Sequence, residues 1–189
     1  MIGKKLINTG GAAEAVFTPS QHFETVTYTG NGSTQKITGY IRKGGAFNGS
    51  SSKIDVPTIT ASSISFWVYL NNFSSIHAIA GHNSDTSKYL YIQTDGQINM
   101  NGVRITPSTS IQSGRWEHLV LTESGGTITA YLNSVSVGSA SASIDGYNQI
   151  GGRTSGTAQY LDGKLDQVRI FDKALSSSEV TTLYGETYA

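Results

Sequence analysis

Tyr160-Leu161-Asp162-Gly163-Lys164-Leu165-Asp166-Gln167-Val168-Arg169-Ile170-Phe171-Asp172-Lys173-Ala174-Leu175 is the stretch that decides how the rest of the chain is read. A turn at Asp162-Gly163 leads into a strand, and the strand leads to the approach of a short helix. Leu165, Val168 and Ile170 are apolar while Asp166, Gln167, Arg169 and Asp172 are polar, the pattern of a half-buried strand. The alternation slips near Asp166, which predicts a β-bulge there. Beyond it, Ser176-Ser177-Ser178-Glu179 has capping-box spacing, in which the Ser176 hydroxyl and the Glu179 carboxylate each accept from the other residue's backbone N–H. Val180, Leu183 and Tyr184 then share one helical face, so a helix of about two turns is predicted to pack on the sheet.

Working back from this stretch, the chain after Gly44 is a series of short alternating segments bounded by Gly, Ser, Asn and Asp, which argues for an antiparallel sandwich. In Ile64-Ser65-Phe66-Trp67-Val68-Tyr69-Leu70, Phe66, Val68 and Leu70 share one face and Trp67 and Tyr69 the other. Both faces are apolar, so this strand should be central and covered on both sides. Ala78-Ile79-Ala80-Gly81 and Tyr89-Leu90-Tyr91-Ile92-Gln93 flank a polar loop from His82 to Lys88. Thr94-Asp95-Gly96-Gln97 is a hairpin turn, and Ile98 to Ile105 reads as one weaker strand.

Several of these segments carry a family likeness. The order G-x-hydrophobic-D-x-V-R-hydrophobic at Gly163–Ile170, then Ala174-Leu175-Ser176 with Glu179, then Leu183-Tyr184, resembles the closing motif of concanavalin A-like sandwiches of the laminin G-like, or LamG, family. Ala46-Phe47-Asn48-Gly49 is similar to the family's opening motif, with Lys53 where an aromatic is frequent. Ile64–Val68 resembles its T-I-S-F-W-V strand. Trp116-Glu117-His118-Leu119-Val120 resembles W-H-H-hydrophobic-V, with Glu117 replacing the first His. Tyr131-Leu132-Asn133 matches Y-hydrophobic-N-G with Ser134 in place of Gly, and Gln149-Ile150-Gly151-Gly152 matches the I-G-G strand. The resemblance implies an all-β, antiparallel jelly-roll sandwich over residues 44–189 with a short C-terminal helix; residues 1–43 read separately as an N-terminal arm and hairpin.

Composition limits the partners. The 189 residues hold 13 Lys plus Arg against 13 Asp plus Glu, so no basic field exists to attract nucleic acid, and no apolar run is long enough for membrane insertion. Cysteine is absent, which excludes a disulfide framework and thiol chemistry. The basic start Met1–Leu6 has no apolar stretch behind it, so no secretory signal is expected. Residues 1–22 lack periodicity and read either as a tail or as an arm docked on a partner subunit. Glu24–Thr29 and Gln35–Ile41 alternate around Gly30-Asn31-Gly32, a hairpin that must join the sandwich edge or pair with another chain. The phrase from Phe23 to Gly39 resembles a segment of tailed-phage structural proteins.

Catalysis finds little support. Glycoside hydrolysis needs two carboxyls ~5–5.5 Å or ~6.5–9.5 Å apart, and the E-x-D-x-E of laminarinase-type relatives is missing; Glu117 stands alone on its strand. His22, His77, His82 and His118 show no metal-ligand spacing. The resemblance implies a structural Ca²⁺ held by Asn48, Gly49, Ser51 and Asp166, whereas the plainer reading has Asp166 bonding loop N–H groups at that corner without metal.

Sugar binding needs aromatic rings under C–H faces and planar polar groups at hydroxyls. Tyr69, Tyr89, Tyr91, Tyr147 and Tyr160 are the candidate rings, with Asn71, Asn72, His82, Asn83, Asp85, Asn101, Arg104, Asn148 and Arg153 as polar partners. An ordinary surface tyrosine is the plainer account of any single ring; a cluster would make a site. The expectation is a noncatalytic phage virion decoration or fibre protein, a homo-oligomer attached to other virion proteins through residues 1–43, displaying a glycan-binding face to a cell surface. A free carbohydrate-binding module of a bacterial secreted protein ranks second, and a hydrolase third.

Overall fold

The computed structural model describes residues 44–186, together with the strand backbone at 21–23 and 36–37. The two early strands are β1 (Gln21–Phe23) and β2 (Lys36–Ile37). The sandwich proper begins with β3 (Gly44–Asn48), β4 (Ile54–Thr60), β5 (Ser63–Leu70), β6 (His77–Gly81) and β7 (Tyr89–Ile92). There follow β8 (Ile98–Met100), β9 (Val103–Ile105), β10 (Trp116–Ser124), β11 (Thr127–Leu132), β12 (Val135–Ser141) and β13 (Asp145–Ile150). A ribbon of β14 (Gly152–Arg153) and β15 (Gln159–Tyr160) precedes the long β16 (Asp162–Phe171) and the helix α1 (Ser177–Tyr184).

These strands form two antiparallel sheets. The larger runs β12-β11-β10-β5-β16-β3-β2 with β1 also on β16, and the smaller runs β4-β13-β6-β7-β8-β9. Together they make the antiparallel sandwich that the residue pattern predicts, in the jelly-roll form that the LamG resemblance implies. Ile64, Phe66, Val68 and Leu70 of β5 meet Leu90, Ile92, Ile98, Met100 and Ile150 of the smaller sheet in one core. Each such side chain contributes about 1.5–3 kcal/mol relative to exposure. At Gly151 (φ +74) the chain passes so close to the Phe47 ring that a Cβ would lie 1.9 Å from it, so the I-G-G strand admits no side chain there.

β5 is central, between β10 and β16, as its two apolar faces require. The slip near Asp166 is a bulge: the β16–β5 register jumps between Asp166 and Arg169, and Gln167 adopts φ +51. The capping box forms at Ser176 and Glu179, and Val180 and Leu183 are buried.

Two features depart from the pattern reading. Ile98 to Ile105 is not one strand but a hairpin, turning at Asn101 (φ 50) and Gly102 (φ 86). Asn-Gly is the strongest short hairpin signal, and both residues take the left-handed conformation that such a turn demands. Asn133 (φ 50) and Ser134 (φ 69) make the same kind of turn, with Ser134 tolerating a conformation that suits the family's Gly better. As for the predicted N-terminal hairpin, β1 pairs with β16 and β2 with β3, both in the larger sheet. The first strand predicted for that hairpin (Glu24–Thr29), its turn at Gly30-Asn31-Gly32 and the arm over residues 1–20 lie outside the described residues. Among those residues no helix is long and apolar enough to cross a membrane.

Candidate functional site

The outward face of the smaller sheet gathers the candidate groups. Cross-strand register sets Ala78 of β6 opposite Tyr91 of β7, Tyr91 opposite Asn99 of β8, and Asn99 opposite Arg104 of β9. Because Leu90 and Ile92 point into the core, strand alternation turns Tyr89 and Tyr91 outward together, and their rings stack at 4.3 Å with 20° between planes. On β6, Gly81 has no side chain, and Arg153 of the ribbon occupies that space; a Cβ at Gly81 would lie 2.4 Å from the Arg153 Cβ. The Arg153 guanidinium carbon lies 5.4 Å from each tyrosine centroid, within cation–π range. Arg153 Nη1 donates to the Thr86 carbonyl at 3.0 Å and Nη2 to the Thr157 carbonyl at 2.9 Å.

Three buried polar atoms of this cluster have no hydrogen-bond partner among the described residues: the Tyr91 hydroxyl, Asn99 Oδ1 and Arg153 Nε. Unpaired buried polar groups are few in folded proteins and costly, about 1–3 kcal/mol each. Burial pushes the Tyr91 phenol up to about 12, so at neutral pH it is a hydrogen-bond donor. At the exposed end of the row, Arg104 Nη2 lies 3.4 Å from Asp95 Oδ2.

The remaining candidates fall elsewhere. His82 caps its own loop, its Nδ1 accepting from the N–H groups of Ser84 (3.1 Å) and Asp85 (2.9 Å). The Asp85 carboxylate accepts from Ser87, which holds it below the usual carboxylate range. Asn148 Oδ1 accepts from Asn83 N–H, and Asn101 Oδ1 from Tyr89 N–H, so these amides organise turns. Tyr147 does not reach this face: it is fully buried in the core, because the β13 register shifts on both sides of it and reverses the side its ring takes. Burial holds its phenol well above the usual range. Tyr160 sits half-buried on the ribbon. Tyr69 belongs to the outer face of the other sheet, edge-on to Trp116 at 5.8 Å with Lys164 Nζ 4.7 Å from its centroid. Asn71 binds a carboxylate at the sandwich corner.

That corner bears on calcium. Asn48 Oδ1 accepts from the N–H groups of Ser50, Ser51 and Ser52 at 2.9–3.0 Å, and Asn48 Nδ2 donates to Ser51 Oγ. The carboxylate beside this turn is Asp162, whose Cα pairs with Asn48. Asp166 pairs instead with Trp67 and accepts from its neighbour's N–H, four residues or ~13 Å further along the strand. The set Asn48, Gly49, Ser51 and Asp166 therefore does not converge. Asp162 accepts from Asn71 Nδ2 at 2.6 Å and Asn72 Nδ2 at 2.8 Å, and Ser74 N–H donating to Asn72 Oδ1 fixes that amide's orientation. His77, also buried here, accepts from Asp162 N–H and donates through Nε2 to the Asn72 carbonyl. Amide and backbone N–H groups thus meet the oxygens that a cation would need, and these residues do not fit Ca²⁺. Among the described residues no group of three or more His, Cys, Asp or Glu could hold a metal.

Glu117 is buried at the sandwich rim, accepting from Arg115 Nε at 2.7 Å and from Asn133 Nδ2. Both oxygens are engaged, Oε1 by Arg115 just before β10 and Oε2 by the turn after β11. Of the residues that converge, Asn99 was not singled out from sequence, although Ile98-Asn99-Met100 alternates and so turns Asn99 outward.

Known proteins place the fold. Domain 4 of AbnA, a GH43 extracellular arabinanase from Geobacillus stearothermophilus solved with arabinotriose, is similar at TM-score 0.67 and 23% identity, over 84% of this chain and 87% of that one. The CBM40 of the Ruminococcus gnavus IT-sialidase, bound to alpha2,3 sialyllactose, is similar at TM-score 0.58 and 13% identity, over 75% and 96% of the two chains. The native heptameric SAP-like pentraxin of Limulus polyphemus is similar at TM-score 0.51 and 19% identity, over 69% and 72%. No curated protein matches the sequence. The Laminin_G_3 family, described as the concanavalin A-like lectin/glucanases superfamily, matches residues 44–181, and the chain belongs to it.

Proposed function

We propose that the chain is a noncatalytic carbohydrate-binding module whose site is the outward face of the smaller sheet. One observation carries this reading: the stacked Tyr89–Tyr91 pair, Arg153 and Asn99 converge there with three buried polar atoms that have no partner among the described residues. Aromatic surface beside hydrogen-bonding groups is the chemistry that a sugar ring requires, with its apolar C–H face and polar rim. The complexes of structurally similar domains with arabinotriose and sialyllactose support the same class of ligand. The carboxylates point away from hydrolysis, because Glu117 and Asp162 are each bonded to side-chain donors that fix the fold.

The phage-like phrase from Phe23 to Gly39 extends the proposal to a virion decoration or fibre protein, attached through residues preceding the sandwich. Several copies would then convert weak sugar contacts into useful avidity. A glycan array probed with the intact chain and with Tyr89→Ala tests the module. Binding that the substitution lowers about tenfold or more supports the face; binding that it leaves unchanged moves the site elsewhere. Deleting residues 1–20 spares both early strands and should abolish particle attachment without loss of sugar binding; normal incorporation of the truncated chain would remove the attachment reading.

A further inference from the structure

Four arginines lie among the described residues, and three have carboxylate partners: Arg104 with Asp95, Arg115 with Glu117 and Arg169 with Glu186. Arg153 has no carboxylate partner there, only two backbone carbonyls and two tyrosine rings. A guanidinium has five N–H donors, so two carbonyl bonds leave Nε–H and one hydrogen on each Nη. Half-buried between ribbon and sheet, this cation loses hydration without gaining a counter-charge.

Its neighbours specify what an occupant must offer. Among the described residues Arg153 Nε and the Tyr91 hydroxyl are donors lacking acceptors, and Asn99 Oδ1 is an acceptor lacking a donor. A carboxylate beside a hydroxyl meets all three needs, since the carboxylate accepts and the hydroxyl donates. A neutral sugar meets the hydroxyl need but leaves the cation unanswered. We infer that the ligand of this face is an acidic sugar, its carboxylate bound by Arg153 and Tyr91, one ring hydroxyl donating to Asn99, and its apolar side against Tyr89; this rests on the carbohydrate-binding reading above. Entry is local. Arg153 hangs from the carbonyls of Thr86 and Thr157, both in exposed loops, so its guanidinium can shift to admit the ligand by releasing those two hydrogen bonds.

Calorimetric titration of the full chain with matched pairs tests this: trigalacturonate and sialyllactose, each against its own methyl ester. At least one acid should bind about tenfold or more tightly than its neutral partner, and added salt should weaken that binding. Arg153→Met should remove most of the preference, and Gly81→Ala should do likewise by pushing Arg153 off the sheet without removing a polar atom. If Arg153→Met fails to fold, Tyr91→Phe, which lacks only the hydroxyl, serves in its place: weaker acid binding supports the inference and unchanged binding overturns it. Neutral partners that bind as tightly as the acids overturn the acidic preference and leave the carbohydrate site standing. Silence of all four, with a neutral glycan captured on the array through Tyr89, does the same. Silence of all four and of the array overturns both.

Discussion

The two sheets turn opposite kinds of surface away from their shared core. On the larger sheet, Val120 and Phe171 form a second apolar cluster with Leu175, Val180 and Leu183 of the closing segment and its helix. Trp67 lies under Tyr184 at 5.6 Å and is only 3% exposed. The polar groups beneath are mostly partnered: Ser63 Oγ donates to the Lys173 carbonyl and accepts from Leu175 N–H, and Ser65 bonds His118. Among the described residues no helix covers the outside of the smaller sheet, and a tyrosine pair, an arginine and an asparagine stand there with three atoms unpartnered among those residues. Both faces bear aromatic rings. What separates them is the cover: where the helix closes over the rings they are core, and where it does not they remain able to meet a ligand.

The sharpest way to break this contrast is to open the covered side. Phe171→Ala should cost about 3–5 kcal/mol, the range for a buried aromatic truncated to Ala, read as a lower urea midpoint. Sugar binding by the remaining folded protein should be unchanged; its loss would mean that the two faces are not independent.

Acid should act next, again on the covered side. Burial and then the charge of Arg169 push the His118 imidazole down to about 3 from its ordinary 6.5. Folded protein therefore binds fewer protons here than unfolded protein below pH 6.5. Stability from the neutral ring is fully present above 6.5 and is lost as pH falls toward 3, by about 2–3 kcal/mol between pH 7 and pH 4.5. Urea titrations at both pH values in wild type and His118→Gln check the sign. A variant that keeps the full pH slope would assign it to other groups.

The smallest effect falls on the helix that provides the cover. Ser176→Ala removes the hydroxyl that caps Glu179 N–H and should cost about 1 kcal/mol. A larger loss would show that the cap holds the helix on Trp67 as well as starting it.

Much of the architecture was legible in short windows. The capping box, the bulge near Asp166 and the doubly covered β5 follow from patterns that a few residues complete among themselves. The hairpin at Asn101-Gly102 was equally local and was missed, because a weak apolar alternation was carried through a strong turn signal. The site was legible only in part. Tyr89, Tyr91, Arg104 and Arg153 read as candidates one by one, but so did Tyr147, which two register shifts turn into the core. At the corner, four residues along one strand decide whether Asp162 or Asp166 meets Asn48, and the family's pattern did not distinguish them.

By itself, then, the sequence determined which segments are strands, where they turn and which helix closes the sandwich, because hydrophobic period and capping act between near neighbours. Only the tertiary structure decided that Arg153 lies beside Tyr89 and Tyr91, more than sixty positions earlier in the chain. That placement depends on the pairing of distant strands, the parity of each bulge and the bare backbone at Gly81. These are properties of segments brought together by the fold, and no window of local pattern contains them.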